Sequence, residues 1–429
     1  MKTNKARAPR ASNSNIHMSA GYRRSHSRRV MSALALGLMA LLMACVTATR
    51  SPVNQTPAPT EAQNDTRRAR AALEGGSPLR TLPVGERAER GASVWVRVPW
   101  EELPGFQEDP VGEVLGALLA GCPRAPAVWQ AACERAARLD PRQHEAVRRW
   151  MLEHLQPWRI EDRSGAREGV LTGYYEPHFE ARRIPNGEFQ SPVHRPPADV
   201  MQRRPYWTRQ QLDTVREARE ALRGREIAHL RDPVDVLVLQ IQGSGRLTVT
   251  EPDGRVKTVR LAFAAHNDHP FGSVGRWLID QGHLPASQAG WPGIRDWMRR
   301  NPRRAQEALW KNPRVVFFRE EPLPDPEVGP RGAMGVPLTP QRSMAVDARS
   351  VPYGAAVWIH AHTTQAGSAG AAKPIQRMVM AQDTGGAIVG AVRGDYFWGW
   401  GDSAGEHAGR TRARLQMWAL WPAGHRPPP

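Results

Sequence analysis

The chain has 429 residues, 40% hydrophobic and 24% charged, which is enough for two domains with cores of their own. Charges of both signs are mixed along most of it, and no apolar run reaches the roughly 20 residues of a spanning helix, so wholesale disorder and a polytopic membrane protein are excluded. The formal charge of +17 rests on 59 basic residues of which five are lysine; scattered arginine explains it at least as well as a nucleic-acid patch, although a basic surface suits any polyanionic partner.

Residues 1–44 hold eight basic and no acidic residues. The cations, Lys2 to Arg29, precede an uncharged, mostly apolar run from Met31 to Ala44, too short to span a bilayer and of the right length for a signal-peptide core, which predicts export. The run ends Leu42-Met43-Ala44-Cys45, which resembles a bacterial lipoprotein box. That resemblance implies removal of residues 1–44, acylation of Cys45 and, with Val at position 46 in place of Asp, an outer-membrane anchor facing the periplasm. Ordinary cleavage after Val46-Thr47-Ala48, giving a soluble periplasmic protein, stays open. Residues 45–92, rich in Pro, Thr, Ala, Asn and Arg without periodicity, read as a flexible tether.

Helical periodicity follows from Trp100 to Leu155, ending near Pro157. Within it, Val111 to Leu139 reads as two helices broken at Pro123 to Pro126, carrying Cys122 and Cys133; an oxidising periplasm permits a disulfide between them, and two buried free thiols are the alternative. Short β-rich runs come next, at Gly169 to Tyr175, Val234 to Gln242 and Leu247 to Val249. Helices are expected at Arg209 to Arg223 and Gly290 to Trp310. The last third returns to strands at Val315 to Phe318, Met344 to Val346, Ala356 to Ala361, Gln376 to Ala381 and Ala387 to Val392. With no parallel βαβ alternation, small β-barrels are favoured over a doubly wound sheet.

Three aspartates stand at strand-to-turn positions in this last third: Ala345-Val346-Asp347, Gln382-Asp383-Thr384-Gly385-Gly386 and Arg393-Gly394-Asp395-Tyr396-Phe397-Trp398. Singly, an Asp beside Gly is a turn former. Together they resemble the three-aspartate domain of bacterial cell-wall enzymes. With Gly173-Tyr174-Tyr175-Glu176-Pro177, Gln242-Gly243-Ser244-Gly245, Asn312-Pro313-Arg314 and Gly335 to Ser343 in the same order, the stretch from Val170 to Pro422 resembles the membrane-bound lytic transglycosylase A family.

The resemblance implies a mainly β fold with peripheral helices: a double-psi β-barrel into which a second β-barrel domain is inserted, with a groove between them for a glycan strand. On that pattern residues 93–177 are a helical segment and the first part of the double-psi barrel, 178–314 the inserted barrel, 315–424 the rest of the three-aspartate domain and 425–429 a tail. It implies cleavage of peptidoglycan glycan strands between N-acetylmuramic acid and N-acetylglucosamine to a 1,6-anhydro product, with Asp395 as catalytic acid. One carboxyl group suffices because the sugar's own C6 hydroxyl attacks C1, whereas hydrolases need a second group to handle water or a nucleophile. No metal and no organic cofactor are implied. Partners would be glycan strands, outer-membrane lipid through Cys45, and cell-wall synthase or divisome proteins; nucleic acid is not among them.

For Asp395 to begin as an acid its pKa must rise, and Tyr396, Phe397, Trp398 and Trp400 are placed to bury it. Arg393 opposes that if strand alternation puts it on the same face, so it is expected to turn away at Gly394. Asp383 is assigned support, by a bond to Asp395 or a sugar or as a turn cap, and Asp347 a more structural place in its turn. Of Tyr174 and Tyr175, alternation lets one face the groove and stack on sugar while the other is core. Gln242, Gly243, Ser244 and Gly245 offer amide, hydroxyl and backbone to a glycan, or form a turn. His266 and His269 match no metal-ligand spacing. Two other readings remain: a two-carboxylate glycosidase using Asp395 and Asp383, and a non-catalytic peptidoglycan-binding lipoprotein.

Overall fold

The computed structural model describes residues 82–363 and 374–429. The expected signal peptide, Cys45 and the tether up to residue 81 lie outside them. In chain order the strands are β1 (Arg87–Arg90), β2 (Ser93–Arg97), β3 (Leu155–Asp162) and β4 (Gly169–Glu176), then β5 (His178–Arg182), β6 (Ser191–His194), β7 (Glu226–Leu230), β8 (Gly245–Thr250), β9 (Val256–His266) and β10 (Val316–Pro322). The last five are β11 (Ser343–Val346), β12 (Ala356–Thr363), β13 (Ile375–Asp383), β14 (Arg393–Trp400) and β15 (Arg412–Pro422).

Among the described residues these strands make two sheets. The larger runs β1-β2-β3-β15-β12-β13-β11-β14-β4, and because β15 also pairs with β4 the portion from β15 to β4 closes into a barrel. Its parallel pairings are β11 with β13 and β4 with β14. Closure leaves no open edge in that ring and puts the alternate residues of every strand inside. The smaller sheet, β10-β9-β8-β5-β7-β6, lies wholly between β4 and β11 in the chain, and its edge strands β6 and β10 come against each other, so it is nearly a closed barrel itself.

The principal core fills the larger barrel and the helices beside it, with Trp95, Trp129, Trp158, Trp358 and Trp421 almost fully buried. Trp421 meets Trp95 and Trp129 edge-on, at ring-centroid distances of 6.0 and 5.8 Å, the geometry ring quadrupoles favour. The helices Leu115–Gly121 and Gln130–Ala136 are joined by a Cys122–Cys133 disulfide. Arg342 pins this helical layer to the barrel. Its guanidinium, 2% exposed, donates to both oxygens of Asp109 (2.8 and 2.9 Å) and to Glu113 (2.7 Å), while Asp109 also accepts from the Met378 amide.

Several sequence expectations need correction. Val234 to Gln242 is a helix, Pro233–Gln242, not a strand: Asp232 caps it by accepting from the Val234 amide, Pro233 fits its first turn, and Gly243 ends it with φ +81. A short apolar run cannot distinguish a buried strand from a buried helix, and here the caps decide. Ala387 to Val392 is a loop before β14, not a strand, broken by Gly385, Gly386 and Gly390. The helical segment ends at His154, and Pro157 lies inside β3. The boundary drawn at 314 falls one strand short, because β10 pairs with β9 of the smaller sheet. Ordered structure also begins before residue 93, since β1 pairs with β2.

The two barrels are joined at Glu176, the last residue of β4. It is fully buried and accepts from Arg246 of β8 (2.8 Å) and Arg260 of β9 (2.6 Å). The same arginines donate to the carbonyls of Pro326 and Val328 on the chain returning to the larger barrel, and the Arg246 guanidinium lies 4.2 Å from the centre of the Trp400 ring. A carboxylate at this depth is tolerable only because two cations and their hydrogen bonds replace its water.

Candidate active site

The parallel pairing of β4 with β14 sets Thr172 opposite Asp395 and Tyr174 opposite Phe397. Since side chains alternate along a strand, these four share one face, and Tyr396 and Trp398 point to the other. Thr172 Oγ1 lies 2.5 Å from Asp395 Oδ1, and Arg393 Nη2 donates to the same Oγ1 at 2.9 Å. A guanidinium can only donate, so it occupies a lone pair of the hydroxyl and directs the hydroxyl's single proton to Asp395. The expected turn of Arg393 away from Asp395 is therefore not seen: Gly394 is paired within the strand, and Arg393 reaches the carboxylate through Thr172.

Burial pushes the Asp395 carboxyl up to about 6, and the neighbouring Asp383 charge adds to this, against the opposing effects of the Thr172 hydroxyl and the Arg393 cation. The apolar wall is narrower than expected, formed by Phe397 with the Tyr174 ring 5.2 Å away. Tyr396 instead donates to the Gln341 carbonyl and, with Trp398, lines a cavity of about 430 Å3 on the opposite face of β14. Trp400 is engaged by Arg246 at the joint.

Asp383 closes β13 beside this group. Its Oδ1 accepts from the Ala333 amide (2.8 Å) and its Oδ2 from the Tyr174 hydroxyl (2.9 Å). Burial raises its pKa while those bonds and the Thr384 amide work against the rise. Tyr174 itself is held well above the ordinary phenol range by burial and by both aspartates, so it stays a hydrogen-bond donor. Asp347 is turned elsewhere: it accepts from the Arg349 side chain (2.9 and 3.0 Å) and from the Arg349 and Gly390 amides, tying its own turn to the loop before β14. Burial works the other way, yet these donors hold its carboxyl below the usual range.

The remaining candidates have structural contacts. Tyr175 packs into the helical satellite core of the smaller domain and against Gly405, where an added Cβ would lie 2.8 Å from its ring. Its amide donates to Gln242 Oε1 at 3.0 Å. Gly243 is a helix C-cap and Gly245 opens β8 against Leu239, so Gln242-Gly243-Ser244-Gly245 is a helix-to-strand corner where a hairpin was one expectation. His266 accepts from the Asp268 amide, and His269 meets the Tyr206 carbonyl at 2.7 Å. Sequence reasoning missed Thr172 and the Ala333 amide. Thr172 immediately precedes the Gly-Tyr-Tyr motif, but only the register of β4 on β14 gives it meaning.

The family model described as the MltA specific insert domain matches residues 170–319, and that of the 3D domain matches residues 342–421. Among curated proteins, membrane-bound lytic murein transglycosylase A of Escherichia coli (strain K12) is 29% identical over 269 residues, 62% of this chain and 69% of that protein. The Vibrio cholerae protein of the same name is 25% identical over 291 residues, 65% and 74% of the two chains. Among solved structures, MltA from Neisseria gonorrhoeae superposes with a TM-score of 0.68 at 30% identity, over 82% of this chain and 98% of that one. The lytic transglycosylase LtgG of Burkholderia pseudomallei gives 0.55 at 38% identity, over 81% and 99%.

Proposed function

The chain belongs to the MltA family of lytic murein transglycosylases, and on that premise we propose that Asp395 is the single proton-shuttling group by which it cleaves peptidoglycan. The observation that carries this reading is the Thr172–Asp395 pair: a half-buried carboxyl, pushed up to about 6, with Oδ1 committed to a hydroxyl. Oδ2 is then the oxygen that holds the transferable proton.

In the reaction, Asp395 gives that proton to the N-acetylglucosamine O4 as the bond from O4 to the muramic C1 breaks. The muramic C6 oxygen bonds to C1 and its proton passes to the Asp395 carboxylate, restoring the acid without consuming water. Tyr174 and Asp383 support the site. Both oxygens of Asp383 are already engaged, by Ala333 and Tyr174, which argues against its acting as the free second carboxylate of a hydrolase.

We assign residues 178–322 to the inserted barrel and the strands on either side to the double-psi barrel, a division that the separate pairing of the two sheets supports. The names of the relatives support membrane association, and among the described residues no helix is long and apolar enough to cross a membrane. Acylation of Cys45 at the outer membrane would account for that association and would bring the enzyme to glycan strands and to synthase or divisome partners.

The test is mass analysis of digested sacculi. The unaltered protein should release a muropeptide one water lighter than the reducing-end form, and Asp395→Asn should release it about 10²–10⁴ times more slowly. A reducing-end product, or unchanged digestion by Asp395→Asn, would overturn the assignment.

A further inference from the structure

Arg314 stands two residues before β10, at the second place where the barrels approach each other. Its backbone is set in a buried scaffold: the Arg314 amide donates to Asn312 Oδ1 (3.2 Å), its carbonyl accepts from Arg209 Nη2 (2.6 Å), and the adjacent Val315 amide donates to the fully buried Asn267 (2.9 Å). The half-buried guanidinium donates from Nη1 to the His269 carbonyl at 3.0 Å. Among the described residues no carboxylate is within ion-pair distance of it; Asp268 is the acidic group that acts on it, from a more exposed position beside His266.

Across from the guanidinium is the turn that follows Asp383. A Cβ placed on Gly386 would lie 3.6 Å from Arg314 Cζ and 3.7 and 3.8 Å from its two terminal nitrogens. Gly386 thus keeps a side chain out of the space in front of a half-buried guanidinium whose acidic neighbour, Asp268, lies beyond ion-pair distance. Such a group gains most from an incoming planar anion that can take two of its N–H bonds.

We propose that Arg314, facing the Gly385-Gly386 turn, is a carboxylate-binding point for the acidic substituent carried by muramic acid. The inference rests on the peptidoglycan reading above and extends it to specificity. The amino-sugar backbone is uncharged, so a cation at this position distinguishes muramic residues by what hangs from the lactyl ether: the carboxylates of an attached peptide, or the lactyl carboxylate itself where the peptide has been removed.

The test is equilibrium binding to the full chain carrying Asp395→Asn, so that affinity is read without turnover. Three probes are used: peptide-bearing glycan strands, strands stripped of peptide, and uncharged chitohexaose. Adding Arg314→Gln should weaken one or both muramic strands about tenfold and leave chitohexaose within about twofold. Loss confined to the peptide-bearing strand identifies the peptide carboxylate as ligand, and loss on both identifies a site open to either source. Gly386→Asp is the second variant: its Cβ would stand at ordinary contact distance from the guanidinium, so its carboxylate should pair with Arg314 and weaken the same strands. Unchanged affinity of Arg314→Gln for both muramic strands, or an equal loss for chitohexaose, overturns the proposal. Failure of the transglycosylase reading itself appears elsewhere, as the absence of anhydro product from the protein with Asp395 intact.

Discussion

Thr172 and Asp395 face each other across a parallel strand pair, and the chemistry of the site follows from which atoms are left over. Loss of a positioned general acid costs about 10²–10⁴ in rate, so Asp395→Asn should fall by that factor in release of anhydro product. In the proposed mechanism the acid acts when protonated, so turnover should decline as pH rises through about 6. Thr172→Val removes a bond that favours the charged form and should move that limb upward, and Thr172→Ser should restore it; an unshifted limb in Thr172→Val would show that the hydroxyl does not tune the acid. Stability carries the same signature. With a folded value of about 6 against an ordinary 3.8, the folded protein binds more protons than the unfolded chain between those values, so stability drops as pH rises through that window. Asp395→Asn should thus be stabilised at pH 7.5, by about 1–3 kcal/mol, and not at pH 3.5, as read by urea unfolding at the two pH values.

Among the elements, β4 is closely packed at Gly173. An added Cβ at Gly173 would lie 2.8 Å from the Trp398 ring nitrogen and 2.9 Å from both Ala408 Cα and Thr411 Cβ. Gly173→Ala should cost about 1–3 kcal/mol through overpacking and, by pushing β4 from β14, should lower turnover more than stability alone accounts for. The helix Pro233–Gln242 makes the complementary case. Its Asp232 side chain also receives Arg295 (2.9 Å), and Asp232→Ala should cost about 1–2 kcal/mol in a denaturant titration without changing the pH profile. This helix also shows where sequence reading runs out at this scale. The run Val234 to Leu239 is apolar enough to be strand or helix, and its capping residues were the signal overlooked. The strands at Met344, Ala356 and Gln376 were legible because β-branched and apolar residues recur there between turn formers, whereas Ala387 to Val392 has the same composition with glycines that prevent pairing.

At the scale of the whole molecule, the joint at Glu176 holds one barrel against the other. Glu176→Gln leaves two arginines, 4% and 6% exposed, without their shared charge, and should cost about 3–5 kcal/mol with a loss of glycan affinity; unchanged unfolding would show that the carbonyls of Pro326 and Val328 suffice. What the sequence alone determined were features written in contiguous residues: the mainly β character and the order of motifs that carries the family resemblance. Tertiary structure decided everything that depends on residues far apart in the chain. Thr172 meets Asp395 across 223 positions, Tyr174 meets Asp383 across 209, and Glu176 meets Arg260 across 84. It also moved β10 to the inserted sheet and placed Arg393 behind Thr172. Local patterns record which face of a strand is buried, but register between strands is fixed by closing the barrel, and that closure sets which donor reaches which carboxylate oxygen.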